Sequence, residues 1–367
     1  MSTRQNVILF MLFLVFLLGL TGQTLAIDMT ARSLGMGGAF TGVADDLSTL
    51  LYNPAGLSQS KWGGLRLDAA FMTDGFDKLK DALEAYGNVG ADGFNEQALI
   101  DLIPDNLGLE GQVFGAVNIK SLGLGFNNRT TTDFCRENST SAQVSAKNIS
   151  EGIVGFSYQL LAPPLEIASL ALGANLKLLR AKTIDYAIDS SIGHLVEKTA
   201  SGSGFDLDLG VLAKVTPLVN VGVQLKNVLS SEYDLAGSTV VKTHDGSQWN
   251  VAANTDFSTK IKNERVMRVG AAVFVPVLNL TVAADLDNFP LLTEGEREQV
   301  LHLGVEKDIL FNGLSLRAGT FNQGKDSRYY TVGLGLNITK LHLDLALGSD
   351  GGFDGNLNGA LAARIKF

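Results

Sequence analysis

The sequence predicts an all-β chain: a transmembrane antiparallel β-barrel of about fourteen strands, with a short non-strand segment ahead of them. Three observations carry this expectation. The chain opens on an apolar leader, most of the remainder repeats a two-residue hydrophobic period, and its connections alternate between short and long.

The leader comes first. Arg4 precedes an apolar run from Val7 to Leu20, and Thr24-Leu25-Ala26 offers a small-residue cleavage pattern. Together these read as a secretory signal peptide over 1–26, cleaved near Ala26. The run falls short of the ~20 apolar residues that a membrane-spanning helix requires. No later run reaches that length, although 46% of the chain is hydrophobic. Apolar residues must therefore be spread at alternate positions, as in a barrel or a secreted sandwich. The 41 glycines against 7 prolines favour strands and tight turns. A net charge of −9 argues against a nucleic-acid partner, which needs a basic surface. Cys135 stands alone, so no internal disulfide holds the exported chain.

The period is clearest at the C-terminus. Leu357, Gly359, Leu361, Ala363, Ile365 and Phe367 alternate with Asn358, Arg364 and Lys366. Leu341, Leu343, Leu345 and Leu347 alternate with His342 and Asp344, and Val219, Val221, Val223 and Leu225 with Asn220 and Gln224. Successive strand residues point to opposite faces, so each such segment has one apolar and one polar side. Strands are expected near 61–73, 111–119, 121–130, 149–160, 166–181, 203–215, 217–230, 263–275, 277–287, 298–308, 313–321, 327–338, 340–348 and 356–367. Between them, short turns alternate with long loops at 74–110, 131–148, 182–202, 231–262, 288–297, 322–326 and 349–355. Outer-membrane barrels have this layout, with short periplasmic turns and longer outside loops. A soluble β-sandwich has no reason to gather its long loops at one end.

Residues 31–58 fit no strand. Gly35, Gly37 and Gly38 let backbone approach backbone closely, Asn53-Pro54 starts a turn, and Gly56 supplies a flexible exit. Asp45 and Asp46 are placed to cap a short helix over Leu47 to Tyr52. With Arg32 and the steps Gly35-Met36-Gly37-Gly38, Ala44-Asp45-Asp46 and Asn53-Pro54-Ala55-Gly56, this stretch resembles the N-terminal signature of the FadL-like outer-membrane transport superfamily. Relatives of that superfamily include the PorV-type barrels of a bacterial secretion system. The resemblance implies a hatch over 27–60, folded into the lumen of a barrel over 61–367, with gating carried by the residues of those motifs. It makes Phe367 similar to the signal read by the barrel assembly machinery. It also implies passive uptake of hydrophobic small molecules, fatty-acid-like or aromatic. The alternative it leaves is a PorV-like barrel that anchors or shuttles surface proteins. A water-filled porin is a third possibility, disfavoured by the hatch.

No enzyme is expected. The four histidines lack metal-ligand spacing, and neither a Gly-x-Ser-x-Gly elbow nor a P-loop is present, so no cofactor or metal is called for. Asp206 and Asp208 both point inward, toward a hydrated wall with Lys177, Lys214, Lys226, Arg268 and Arg317. Asn127, Lys177 and Arg317 are candidates to hold a carboxylate head group. In the first long loop, Phe76, Leu79, Leu83 and Tyr86 share one helical face. Asn95 would cap a second helix carrying Ala98, Leu99, Leu102 and Ile103, ended by Pro104. Two such helices either pack on the barrel rim or form a greasy surface that captures an apolar ligand.

Overall fold

The computed structural model describes residues 28–59, 63–88, 100–161, 168–244, 249–323, 327–351 and 356–367. The leader, 1–26, lies outside the described residues.

Seven strands run up and down in chain order: β1 (Gly63–Thr73), β2 (Leu107–Ile119), β3 (Leu122–Arg136), β4 (Ser141–Leu161), β5 (Ser169–Asp189), β6 (His194–Thr216) and β7 (Val219–Lys226). A hairpin, β8 (Glu232–His244) and β9 (Trp249–Lys262), interrupts them. Seven more follow: β10 (Val266–Val275), β11 (Leu280–Asp287), β12 (Val300–Ile309), β13 (Leu314–Gln323), β14 (Ser327–Ile338), β15 (Leu341–Ser349) and β16 (Leu357–Lys366). β7 pairs with β10 across the hairpin, and β16 returns to β1 from Gly64↔Lys366 to Thr73↔Leu357. These fourteen strands close into one antiparallel barrel. Closure leaves its wall without a free edge, so the backbone is paired all round, as lipid requires.

The two faces are inverted relative to a water-soluble protein. In β1, Leu65, Leu67 and Phe71 are exposed while Arg66 and Asp68 are buried. Phe126, Leu178, Phe205 and Leu361 repeat the exposed pattern around the wall. An apolar outer girdle with a polar interior is stable only where lipid meets the outside.

The wall is uneven in height. β4, β5 and β6 have 21, 21 and 23 residues, whereas β10 to β13 have 8 to 10. A tilted strand crosses a bilayer in ~9–11 residues, so about half of each long strand stands above it. Here the structure corrects the sequence. The stretches 131–148 and 182–202, expected as loops, are mostly strand, with tight tips near 137–140 and 190–193. The stretch 231–262 is the β8–β9 hairpin, whose β8 pairs with the upper part of β6 from His194↔Thr243 to Ser201↔Ala236.

The segment before β1 lies inside the barrel. It contains α1 (Ala31–Gly35), α2 (Thr49–Tyr52) and a 3-10 turn over Pro54–Gln59. Nearly every residue from Asp28 to Leu57 is buried. In the first loop, α3 (Phe76–Asn88) forms as the periodicity predicts.

Candidate functional site

The candidate site is the contact between this plug and the lumen wall. It begins at Arg32 in α1. Its guanidinium forks onto Glu306 of β12, with Nε–Oε2 at 2.8 Å and Nη2–Oε1 at 2.6 Å. It also reaches Asp45 at 2.5 Å and Asp46 at 3.2 Å. Glu306 in turn accepts from Arg317 Nε at 2.5 Å, and Arg317 Nη1 bonds Asp344 at 2.7 Å. One oxygen of Asp46, Oδ2, collects three guanidinium groups: Arg66 at 2.9 Å, Arg364 at 3.0 Å and Arg32. Arg66 is also forked onto Asp68, which accepts the Ala31 N–H at 3.1 Å. Planar guanidinium forks suit such buried carboxylate pairing. Burial works against ionisation of Asp46, yet Arg66, Arg364 and Arg32 outweigh it and hold the carboxyl well below its ordinary range.

Asp46 does not cap a helix over 47–52. α2 starts at Thr49, and Asp46 Oδ1 instead accepts the Ser48 N–H at 2.9 Å and its hydroxyl at 2.5 Å. Local bonding to Ser48 fixes one oxygen and frees the other for the arginines. Asp45 carries no capping bond and is partly open to the lumen below.

Further fasteners follow the plug around the wall. Asp28 is gripped by Arg129 at 2.6 Å and Lys226 at 2.7 Å. Asp285 Oδ2 accepts the N–H groups of Phe40 and Thr41 at 2.8 and 2.7 Å. His302 Nδ1 lies 2.7 Å from the Gly37 carbonyl. The last carbonyls of α2, which have no intrahelical partner, are capped from the wall: Asn175 donates to Leu50 and Gln224 to Leu51. Asn53 donates to Thr41 within the plug and to Val211 of β6.

Glycines set the distance of approach. Gly37 and Gly38 have φ of 63° and 85° at the turn leaving α1. On the wall, a Cβ at Gly173 or Gly210 would overlap Pro54, and one at Gly222 would overlap the Thr41 carbonyl. Gly56 is equally crowded, by Ala44, whereas a Cβ at Gly35 would meet Gly333 in a tight contact without overlap. The backbone of the plug thus rests on bare strand.

The predicted lumen residues are present but already engaged. Lys177 pairs with Asp208 at 2.7 Å, Arg268 forks onto Asp287, and Asp206 accepts from Ser231. Asn127 bonds Gln112 and Glu151. Lys226 serves the plug rather than Asp206 or Asp208. A carboxylate ligand at Asn127, Lys177 or Arg317 would have to displace a partner already in place. Arg66, Asp68, Asp285, Glu306, Asp344 and Arg364 were not singled out as site residues from the sequence; their inward parity within alternating strands, already visible for Asp344 and Arg364, was the available signal. Beneath the plug, at the short-turn end, a vestibule of about 690 Å³ is lined by Arg32, Asp45, Gln59, Lys214, Asn220 and Glu306 among others.

In the first loop Phe76 is exposed and Leu79, Leu102 and Ile103 are half-buried. Ile100, not singled out from the sequence, is fully buried. Lys78 ties α3 to the carbonyls of Asp105 and Asn106. The side chains of Leu83 and Tyr86, and Asn95, Ala98 and Leu99 altogether, lie outside the described residues.

Residues 100–287 match the family model described as F plasmid transfer operon, TraF, protein. The chain belongs to that family. Its fold is shared with solved transporters at low identity. The toluene transporter TbuX of Ralstonia pickettii aligns over 93% of this chain and 99% of its own, with 13% identity and a TM-score of 0.61. The toluene transporter TodX of P. putida aligns over 93% and 99%, with 14% identity and a TM-score of 0.61. A FadL homologue of Pseudomonas aeruginosa aligns over 95% and 100%, with 12% identity and a TM-score of 0.61. The FadL-like fold expected from the 31–58 motif is therefore the observed one. No curated protein matches the chain.

Proposed function

We propose that this chain is an outer-membrane channel for passive uptake of hydrophobic small molecules, gated by the plug of residues 28–59. The carrying observation is a lipid-girdled barrel whose lumen is filled by a folded segment tied to the wall through Arg32, Asp46 and Glu306. A water-filled porin would leave that space open. The fold neighbours named as toluene transporters and as a FadL homologue support the cargo class. The family description names no cargo, so the reading rests on fold and geometry. No observation favours the PorV-like anchoring role.

In the proposed orientation the short turns and both ends of the mature chain face the periplasm. Apolar cargo meets the outer loops first and then a charged lumen, through which it cannot slip while the ion pairs stand. Transport therefore requires the plug to move. The apolar face of the first loop is the proposed capture surface. Leu79→Asp with Leu102→Asp is expected to lower uptake of a monoaromatic hydrocarbon into reconstituted vesicles while heat-resistant barrel migration persists. Undiminished uptake by that variant removes the capture role. Mass spectrometry of small molecules retained by the detergent-purified barrel tests the function itself; retention of none, with no uptake in vesicles, would overturn it.

A further inference from the structure

The short-turn rim has two unlike sides. On one, the turn tips are Lys120-Ser121 and Thr339-Lys340, close to Lys366, with exposed Ile119, Ile338 and Phe367 beside them rather than at the tips. On the other, three successive turns carry apolar side chains: Leu218 between β6 and β7, beside Val215 near the end of β6, Val277 and Leu278 between β10 and β11, and Leu310 and Phe311 between β12 and β13. Phe311 and Val277 are 106% and 94% exposed, and the other four lie between 45% and 71%. The turns are knit into one surface. The Phe274 N–H donates to the Leu218 carbonyl at 2.8 Å, and the Asp308 N–H to the Asn279 carbonyl at 3.0 Å.

Leu310, Phe311 and Asn312 have φ of 50°, 55° and 65°. The left-handed region costs a bulky residue roughly 1–2 kcal/mol, and water-facing turns fill it with Gly, Asn or Asp. Lys120 and Thr339 occupy the same region at φ of 54° and 53° on the other side, so the backbone is shared and only the exposed Leu and Phe side chains set this turn apart.

We infer that these three turns are embedded in the membrane leaflet at the short-turn end, so that the barrel sits deeper on its β6–β13 side than at Lys120 and Lys340. Phospholipid is the occupant because the patch runs into the lipid girdle, through Leu278 to Val282 on β11 and through Leu310 to Leu316 on β13, with Lys307 of β12 between them turning its amine to the Leu278 carbonyl. Apolar side chains gain by entering the acyl boundary, while a lysine at that level lays its stem along apolar surface and turns its amine to a polar partner, as Lys307 does. The vestibule beneath the plug is bounded on this side by Pro217, Leu218 and Phe274. The seating of the lip stands independently of the uptake reading.

Single-tryptophan proteins test it, with Trp62 and Trp249 replaced by Phe and Phe311→Trp, Val277→Trp or Lys120→Trp introduced. They are reconstituted in phosphatidylethanolamine–phosphatidylglycerol vesicles with a brominated-acyl lipid. Val277→Trp carries the test if the strained Phe311 turn does not tolerate Trp. The lip positions are expected to emit at shorter wavelength and to be quenched several-fold more by bromolipid than by iodide, with Lys120→Trp reversed. Iodide quenching at the lip equal to that of Lys120→Trp, with no bromolipid effect, overturns the seating and leaves the patch to a soluble partner. Hydrocarbon uptake in the same vesicles separates the readings. Lipid-buried reporters without uptake sink only the channel, and water-exposed reporters with uptake sink only the lip.

Discussion

The N-terminal end of the plug is held by charge, and its C-terminal end by shape and neutral hydrogen bonds. Around α1, four arginines and five carboxylates interlock: Arg32, Arg66, Arg317 and Arg364 with Asp45, Asp46, Asp68, Glu306 and Asp344. Around α2 and the 3-10 turn, Leu50 and Leu57 pack toward Gly123 and Gly155 of the wall, and Pro54 rests on Gly173 and Gly210. The difference matters for a gate. Buried ion pairs are costly to desolvate and specific in register, so they can be exchanged for other pairs or for water. A close-packed apolar contact has no alternative partner and lets go only by opening a void. The charged end is suited to move first, with the packed end as its anchor.

Three substitutions break or sharpen this contrast. The largest effect is expected for Asp46→Ala, which strands Arg66, Arg364 and Arg32 without their shared acceptor. Losing one partner of such a buried set costs about 3–5 kcal/mol. The charged end should undock, seen as faster amide exchange over 28–48 and open-channel current in planar bilayers; a silent, protected variant would show that charge does not hold the plug. Next, Leu50→Ala should cost about 3 kcal/mol by leaving a cavity at a fully buried position. Its added exchange should be confined to 49–59; equal loosening at both ends would erase the distinction. The smallest effect is expected for Asp45→Asn, because its carboxylate is 42% exposed and water screens the pair with Arg32. A change below about 1 kcal/mol is anticipated, with unchanged bilayer current. Current as large as that of Asp46→Ala would move the latch from Asp46 to Asp45.

Alternation by itself determined the closed sheet, a strand number of about fourteen and the gathering of the long connections at one end. The reason is physical. Lipid outside and a polar lumen inside make opposite demands on neighbouring residues, so the period of two is imprinted wherever a strand crosses the bilayer. Above the bilayer the outside is water and the demand lapses. That is why 131–148 and 182–202 read as loops although their ladders continue unbroken, from Arg136↔Ala142 in one and to Asp189↔His194 in the other. The motif at 31–58 gave the place of the plug through its resemblance, and Arg32 with Asp46 stands at the centre of the observed network. Their partners were beyond reach of the sequence. Arg32 meets Glu306 across 274 positions, and Asp46 meets Arg364 across 318. Parity says that a charge faces inward; only barrel closure and strand stagger decide which inward charges share a height, and so which of them hold the plug.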